Sequence, residues 1–343
     1  MGETGLLMAR QELGPAGLRV AQSVRRVLRE VVADGLPAGR SAPPRPVQRI
    51  VVGVSGGADS LALVAGAAWC SRRVEELAHV PVCAVVVDHG LQEGSAAVAA
   101  RAAAQVEALG VEAQVVQVEV VDRGDGPEAA ARVARYRALL ADRDAVVLVG
   151  HTLDDQAETV LLGLARGSGT RSLAGMSERQ GRLLRPLLGV RRIDTEAACQ
   201  EAGLAWWTDP HNADPAYSRS RVRTALTTLD QAIGPGLAEA LARTAELARA
   251  DADLLDVLTA TLLVESSEPD RANGALSVRP LAGAHRALRD RALLTWLRRE
   301  GVEDVSASHV RAVAELVTDW HGQAGVDVPG ARVVRIADRL QVE

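Results

Sequence analysis

The chain has 343 residues, 48% of them hydrophobic, and a net charge of −5, which supports a large buried core and argues against a protein coated in nucleic acid. All 39 basic residues are arginine. That excludes a Walker-type phosphate lysine, a Schiff-base lysine and a lysine general base, and leaves phosphate contacts to arginine, backbone N–H groups or a metal.

Residues 1–46 are expected to form an N-terminal helix and a linker. Leu18, Val24, Val27, Leu28 and Val31 fall on a helical period within 14–34, and 36–46 is rich in Pro, Gly and Ser. From 47 to 217, strands alternate with helices: strand 49–54, helix to about 69, strand 82–87, helix 95–109, strand 114–120, helix 127–141, strand 145–149 and helix 154–166. Continuous apolar strands in β–α alternation predict an α/β domain with a parallel, Rossmann-like sheet covered on both faces. Ligands of such sheets bind at the carboxyl ends of the strands, where Ser55, Asp88 and His151 fall. Residues 218–343 are expected to form a second, mostly helical domain, with helices over 236–263, 282–299 and 306–320 and a small β-element over 326–342. No apolar run approaches the ~18 residues of a membrane span, and no signal-type stretch opens the chain, so a cytoplasmic location is expected.

The turn Ser55-Gly56-Gly57-Ala58-Asp59-Ser60 joins the first strand to its helix. Its glycines admit a polyanion close to the backbone, and the N–H groups at the helix start point at it. Asp59 beside phosphates implies an intervening divalent cation, Mg²⁺ by its preference for hard oxygen ligands. Asp154, Asp155 and Glu158 share one helix face, which suits two cations, a metal and an ammonium group. His151 ends its strand, and Arg132 and Arg135 lie three apart on one helix, suited to an anion. Residues 163–192 carry seven arginines against one acid, Glu178, and are expected to form a basic surface, solvated or facing nucleic acid. Arg219, Arg221 and Arg223, spaced by two, are expected on one face of an extended segment. Trp206 and Trp207 are expected to pack or to stack an unpaired base. Cys70, Cys83 and Cys199 form no CxxC pair and are expected to be buried thiols.

The SGGADS turn after a strand resembles the signature of the PP-loop ATP pyrophosphatases, which cleave ATP between its α and β phosphates. Residues 87–91 (VDHGL), 128–132 (EAAAR) with 134–136 (ARY), 150–159 (GHTLDDQAET), 164–169, 173–176 and 209–214 (DPHNAD) narrow the resemblance to the tRNA(Ile)-lysidine synthetases. The matching stretches run from about 49 to 223; Gln92 stands where an arginine is common and Ser220 where an asparagine is. The resemblance implies ATP-dependent adenylation of the wobble cytidine of a tRNA(Ile) with a CAU anticodon, then displacement of AMP by free lysine. It implies ATP contacts from Ser55, Gly56, Gly57, Ala58, Asp59, Ser60, Asp88, His89 and His151, and catalytic work by Asp59, Arg132, Asp154 and Asp155. Asp59 and Asp154 are expected to hold Mg²⁺, with the division between Asp154 and Asp155 open, and Glu158 to recognise lysine. The tRNA is expected to meet Arg166, Arg171, Arg185, Arg191, Arg192, Arg219, Arg221 and Arg223. A PP-loop thiolase and a non-catalytic nucleotide-binding module are the rival readings. The oligomeric state, a homodimer included, is not written in the sequence.

Overall fold

The computed structural model describes residues 12–37, 43–90, 94–121, 126–167, 169–209, 214, 216–267 and 274–343. Leu91, Gln92, Gly124, Asp125, Ser168, Pro210, His211, Asn212 and Ala213, singled out in the sequence, lie outside the described residues, as does the middle of the 36–46 linker.

The chain divides into two compact units, 1–246 and 247–343. In the first, helix α1 (Pro15–Asp34) opens the chain. Strands β1 (Arg49–Val54), β2 (Val82–Asp88), β3 (Glu112–Gln117) and β4 (Ala145–Leu148) then alternate with helices α2 (Ala58–Arg73), α3 (Ser95–Ala108) and α4 (Pro127–Leu139). After β4 come α5 (Leu153–Ala165), α6 (Thr170–Leu173), β5 (Arg179–Gln180), β6 (Leu183–Leu184), α7 (Arg192–Glu201) and α8 (Ser218–Ile233). Helix α9 (Leu237–Ser266) follows and carries the boundary between the units.

The strands form one sheet in the order β3-β2-β1-β4-β6-β5, parallel throughout except for the terminal β5. Successive strands step outward from β1 to β3, and β4 then returns to the other side of β1. The switch in direction therefore lies between β1 and β4, and the carboxyl ends of these two strands are where ligands of such sheets bind. Apolar residues run continuously through β1 and β4 because both faces are covered. Ile50, Val52, Val146 and Leu148 join α1, α2 and α7 on one side, while Val51, Val85 and Val147 meet Leu139 and Tyr136 of α4 on the other.

Helix α1 is part of this core rather than an appendage. Val20, Val24, Val27, Leu28 and Val31 are buried, whereas Leu18, expected among them, is 40% exposed. No residue of α1 itself caps its start. Instead Glu201, at the end of α7, accepts hydrogen bonds from Ala16 N–H (3.0 Å) and Gly17 N–H (2.7 Å). The third strand begins two residues earlier than expected and stops at Gln117.

In the second unit, β7 (Leu276–Ser277), α10 (Val278–Gly283), α11 (Arg286–Arg299) and α12 (Ala307–Thr318) precede β8 (Val326–Val328), β9 (Ala331–Ile336) and β10 (Arg339–Val342). These strands form an antiparallel sheet in the order β7-β10-β9-β8. Leu293, Trp296 and Leu297 of α11 pack with Val313 and Leu316 of α12 and with Val333 and Leu340 of the sheet. The break in packing falls at 246/247 rather than near 217: α8 and the start of α9 belong to the first unit, for reasons of charge described below. No helix among the described residues is long and apolar enough to cross a membrane.

The external cap on α1 is testable. Glu201→Ala leaves two helix-start N–H groups unsatisfied and is expected to lower stability by about 1–2 kcal/mol in chemical denaturation. An unchanged midpoint would show that solvent replaces the cap without loss.

Candidate active site

The turn after β1 is shaped by its glycines and closed by its serines. Gly56 has φ +81°, a conformation that side-chain-bearing residues rarely adopt, and Gly57 occupies the cap position of α2. Ser60 Oγ accepts from Ser55 N–H (3.2 Å) and donates to Gly57 O (2.9 Å). Trp207 N–H donates to Gly56 O (2.9 Å), tying the loop after α7 to the turn. The unpaired N–H groups at the start of α2 thus end in a fixed anion-accepting loop. Across the crevice, Gly150 sits so close that a Cβ there would lie 3.0 Å from Asp59 C and O and 3.1 Å from Ser60 N. This glycine, part of the GHTLDD stretch, allows the β4 end to lie directly against the phosphate turn.

Thr152 caps α5, and Asp155 completes the capping box by accepting from Thr152 N–H (2.8 Å). All three acids of the α5 motif are engaged by arginines from elsewhere in the chain. Asp154 accepts from Arg191 Nη2 (3.1 Å) and from Arg192 N–H (2.7 Å), and Arg191 also pairs with Glu239 of α9. Arg192 Nη2 donates to Asp155 Oδ1 (2.8 Å), and the same guanidinium lies 3.5 Å from Asp59 and 3.7 Å from Glu158. Glu158 is 2% exposed; its Oε1 accepts from Arg223 Nε of α8 (2.9 Å), while its Oε2 is buried without a partner among the described residues.

This geometry corrects several expectations. The arginine-rich stretch 163–192 is largely neutralised or bonded within the molecule rather than forming a basic surface. Arg179 pairs with Asp34, and Arg182 donates to the carbonyls of Leu140, Asp142 and Ala145. Arg185, grouped with the tRNA-facing residues, is 4% exposed and donates to Ser177 O (2.7 Å) and Gln180 Oε1 (3.2 Å). Arg191 and Arg192 hold the acid cluster. Arg219, Arg221 and Arg223 lie on helix α8, not on an extended segment, so a spacing of two separates rather than aligns them. Arg219 and Arg223 share a face, while Arg221 is exposed and donates to Ala216 O (2.9 Å). Arg166 and Arg171 are exposed. Trp206 packs half-buried against the core.

Electrostatics follow from burial. Burial raises the Asp59 carboxyl to about 6 against the pull of Thr195 and Arg192. Burial would raise Asp155 too, but Arg192 and the Thr152 N–H hold it below the usual aspartate value. His151 is pushed down to about 3 by burial and by Arg185, Arg132 and Arg135, despite Asp155; it is neutral, and its buried Nδ1 has no partner among the described residues. Burial and Arg135 lower His89 in the same direction. Asp88 is buried and accepts from Gly90 N–H (3.0 Å). Arg132 and Arg135 lie 4.9 Å and 5.5 Å from the centre of the Tyr136 ring.

Thr195 escaped the sequence reading altogether. Its side chain is fully buried and its hydroxyl lies against Asp59, 136 residues away. Only its place three residues after Arg192, on the first turn of α7, hints at a shared role.

The cysteines do not make a sulfur-transfer site. They stand apart, and burial pushes the Cys70 and Cys199 thiols up to about 12, far from the reactive thiolate range.

Comparison with known proteins agrees with this geometry. The PP-loop domain family matches residues 21–229, and the TilS substrate binding domain matches 276–341. The tRNA(Ile)-lysidine synthase of Leifsonia xyli is 52% identical, with 86% of this chain and 90% of that protein covered. That of Salinispora tropica is 48% identical, over 93% of this chain and 95% of the relative. Among solved structures, the U34-tRNA thiolase NcsA of Methanococcus maripaludis shares the fold at 20% identity, with a TM-score of 0.52 over 67% of this chain and 79% of that one. With both domain matches in place and relatives near half identity along most of its length, the chain belongs to the tRNA(Ile)-lysidine synthase family of PP-loop proteins.

Proposed function

We propose that the chain joins free lysine to C2 of the wobble cytidine of a tRNA(Ile) with a CAU anticodon, at the expense of ATP. The observation that carries this reading is the contact of two chemistries in one crevice. A loop built for phosphates touches a helix start carrying three acids, and Arg192 spans Asp59, Asp155 and Glu158. ATP bound on the turn would present its α-phosphorus beside a site that attracts an amine.

In the first step the cytidine O2 attacks the α-phosphorus of ATP, and the Pα–O–Pβ bond breaks with pyrophosphate leaving on its electron pair. In the second the lysine ε-amine, having lost a proton, adds to C2, and the C2–O bond breaks to release AMP. Ser55, Gly56, Gly57, Ala58 and Ser60 cradle the phosphates through backbone N–H groups and hydroxyls. Mg²⁺ takes one or two carboxylates and fills its shell with phosphate and water. Asp59, desolvated and beside the turn, is the residue that would hold it. Mg²⁺ bound there would offset the phosphate charge. Asp154 is occupied by Arg191 and the Arg192 N–H, so its role is to brace the two arginines. The unpartnered Oε2 of Glu158 receives the lysine ammonium, and neutral His151 accepts a hydrogen bond near the reacting groups. Exposed Arg166, Arg171 and Arg221 are the tRNA contacts.

Labelled lysine should enter an unmodified tRNA(Ile) with a CAU anticodon, with AMP and pyrophosphate as products, and should not enter a Cyt34-substituted control. ATP cleavage without lysine transfer would overturn the choice of nucleophile, and no tRNA-dependent cleavage at all would favour a passive binding module.

Glu158→Gln keeps the shape of the side chain and removes its charge. It is expected to cut lysine transfer by about 10–100-fold while tRNA adenylation stays within a few-fold, read from AMP-tRNA formation without lysine. Equal loss of both steps in a folded protein would contradict the assigned role.

Asp59 couples activity and stability in opposite senses. Its folded value lies above that of a free aspartate, so the folded state binds this proton more tightly and the ionised form strains the fold above pH 6. Asp59→Asn should therefore raise stability at pH 7.5, by at most about 3 kcal/mol, while abolishing ATP cleavage. Wild-type kcat/KM for ATP should fall as the pH drops through about 6. A destabilised Asn variant, or a flat profile through that range, would refute the burial argument.

A further inference from the structure

One face of α7 is fastened to the start of α2. Arg192, Thr195 and Cys199 are spaced by three and four, so they share that face, and all three meet residues 58 and 59. Arg192 Nε lies 3.5 Å from Asp59 Oδ2, the Thr195 hydroxyl donates to Asp59 Oδ1, and Cys199 Sγ donates to Ala58 O (3.3 Å). Thr195 and Cys199 are fully buried. The end of β4 closes on the same residue, because a Cβ on Gly150 would lie 3.0 Å from Asp59 C and O. The backbone of Asp59 is therefore pinned, and the direction of its side chain is left to α7. The two carboxylate oxygens are held differently. Oδ1 takes the Thr195 hydrogen bond, whereas Oδ2 meets Arg192 at 3.5 Å, a contact of charges rather than a hydrogen bond. The Thr195 hydroxyl has one proton and two acceptors in reach, Asp59 Oδ1 and Arg192 O (2.7 Å). The charged carboxylate is the stronger acceptor, so Asp59 takes the larger share.

A hydroxyl orients a carboxylate without cancelling its charge. An arginine fork on the same group would occupy both oxygens and neutralise it. Thr195 occupies one oxygen and leaves the charge and the second oxygen to a cation. Resting on the function proposed above, in which Asp59 holds Mg²⁺, we infer that Thr195 is a positioning residue for that metal site: its hydroxyl fixes Oδ1 and keeps Oδ2 for the cation that arrives with ATP. Thr195 is fully buried and acts only through Asp59. Burial gives the bond its weight, since a carboxylate largely removed from water depends on the few donors left to it. Without the hydroxyl, the nearest remaining donor is the Arg192 guanidinium, already committed to Asp155 and within reach of both Asp59 oxygens on a small rotation. Asp59 then closes on Arg192 and is lost to the metal.

The test needs no turnover. The full chain is titrated calorimetrically with α,β-methylene-ATP, which resists cleavage at the reacting bond, across a series of Mg²⁺ concentrations. Thr195→Val keeps the shape of the side chain and removes the hydroxyl. It is expected to raise the Mg²⁺ needed for half-maximal binding by about tenfold or more, the loss of one charge-assisted hydrogen bond. Binding of the analogue without Mg²⁺ should stay within about twofold, which also shows that the phosphate turn is intact. Thr195→Ser returns the donor and should bring the Mg²⁺ requirement back to within a few-fold of wild type. In an Asp59→Ala background, Thr195→Val should add no further loss. An unchanged or lower Mg²⁺ requirement in Thr195→Val, with only a drop in melting temperature, would make the residue a packing group and overturn the inference. Equal weakening with and without Mg²⁺ would do the same, as would a further loss on top of Asp59→Ala. A wild-type chain whose binding of the analogue ignores Mg²⁺ would remove the underlying placement of the metal, and that failure is visible before any variant is made.

Discussion

Three carboxylates from two separate elements surround the guanidinium of Arg192: Asp59 on the phosphate turn, and Asp155 and Glu158 on the helix after β4. Like charges held about 4 Å apart in a setting of intermediate dielectric repel by roughly 4 kcal/mol, so these acids do not share a crevice without a cation between them. Arginine is suited to the task because its charge survives burial and its donors are fanned in a plane. The residual repulsion is visible at Asp59, where Asp155 adds to burial in raising the carboxyl to about 6. Arg192 is the cation that links the phosphate turn to the acid helix.

The sheet topology supplies the crevice that Arg192 spans. Because β4 returns to the far side of β1, the turn after β1 and the turn after β4 face each other, and Gly150 brings them into backbone contact. Charge also decides where the first unit ends. Arg223 on α8 is committed to Glu158 and Glu239 on α9 to Arg191, so both helices are bound to the α/β core. Glu158 is buried while Arg223 stays partly exposed, so α8 reaches in from the surface to meet a carboxylate that Arg192 also faces.

Much of this was legible in the sequence because it is local. Strand positions followed from short apolar runs, the phosphate turn from six adjacent residues, and the acid face of α5 from a spacing of three and four. What was not legible lies in pairings between distant residues. Nothing local marks Arg192 as the partner of Asp155, 37 residues before it, or Arg223 as the partner of Glu158, 65 residues before it. The excess of arginine over 163–192 suggested a basic surface because its counter-charges, Asp34, Asp59 and Glu239 among them, lie outside that window. The two-residue spacing of Arg219, Arg221 and Arg223 fits a strand face equally well on paper, and only the helix places Arg219 and Arg223 together. Lone residues such as Thr195 carry no pattern at all.

The use of arginine for every cation has a chemical consequence in such a site. The reaction proposed here produces a carbon activated toward amines, and any resident lysine in the crevice would offer the same group as the substrate. A buried lysine would also lose its proton easily and become a nucleophile. A guanidinium holds the acids and stays protonated, so it organises the crevice without competing for the activated carbon. With no lysine anywhere in the chain, the ε-amine that reaches the acid end must arrive as substrate. The acids that attract it are the same ones that Arg192 keeps ionised and in place before it enters.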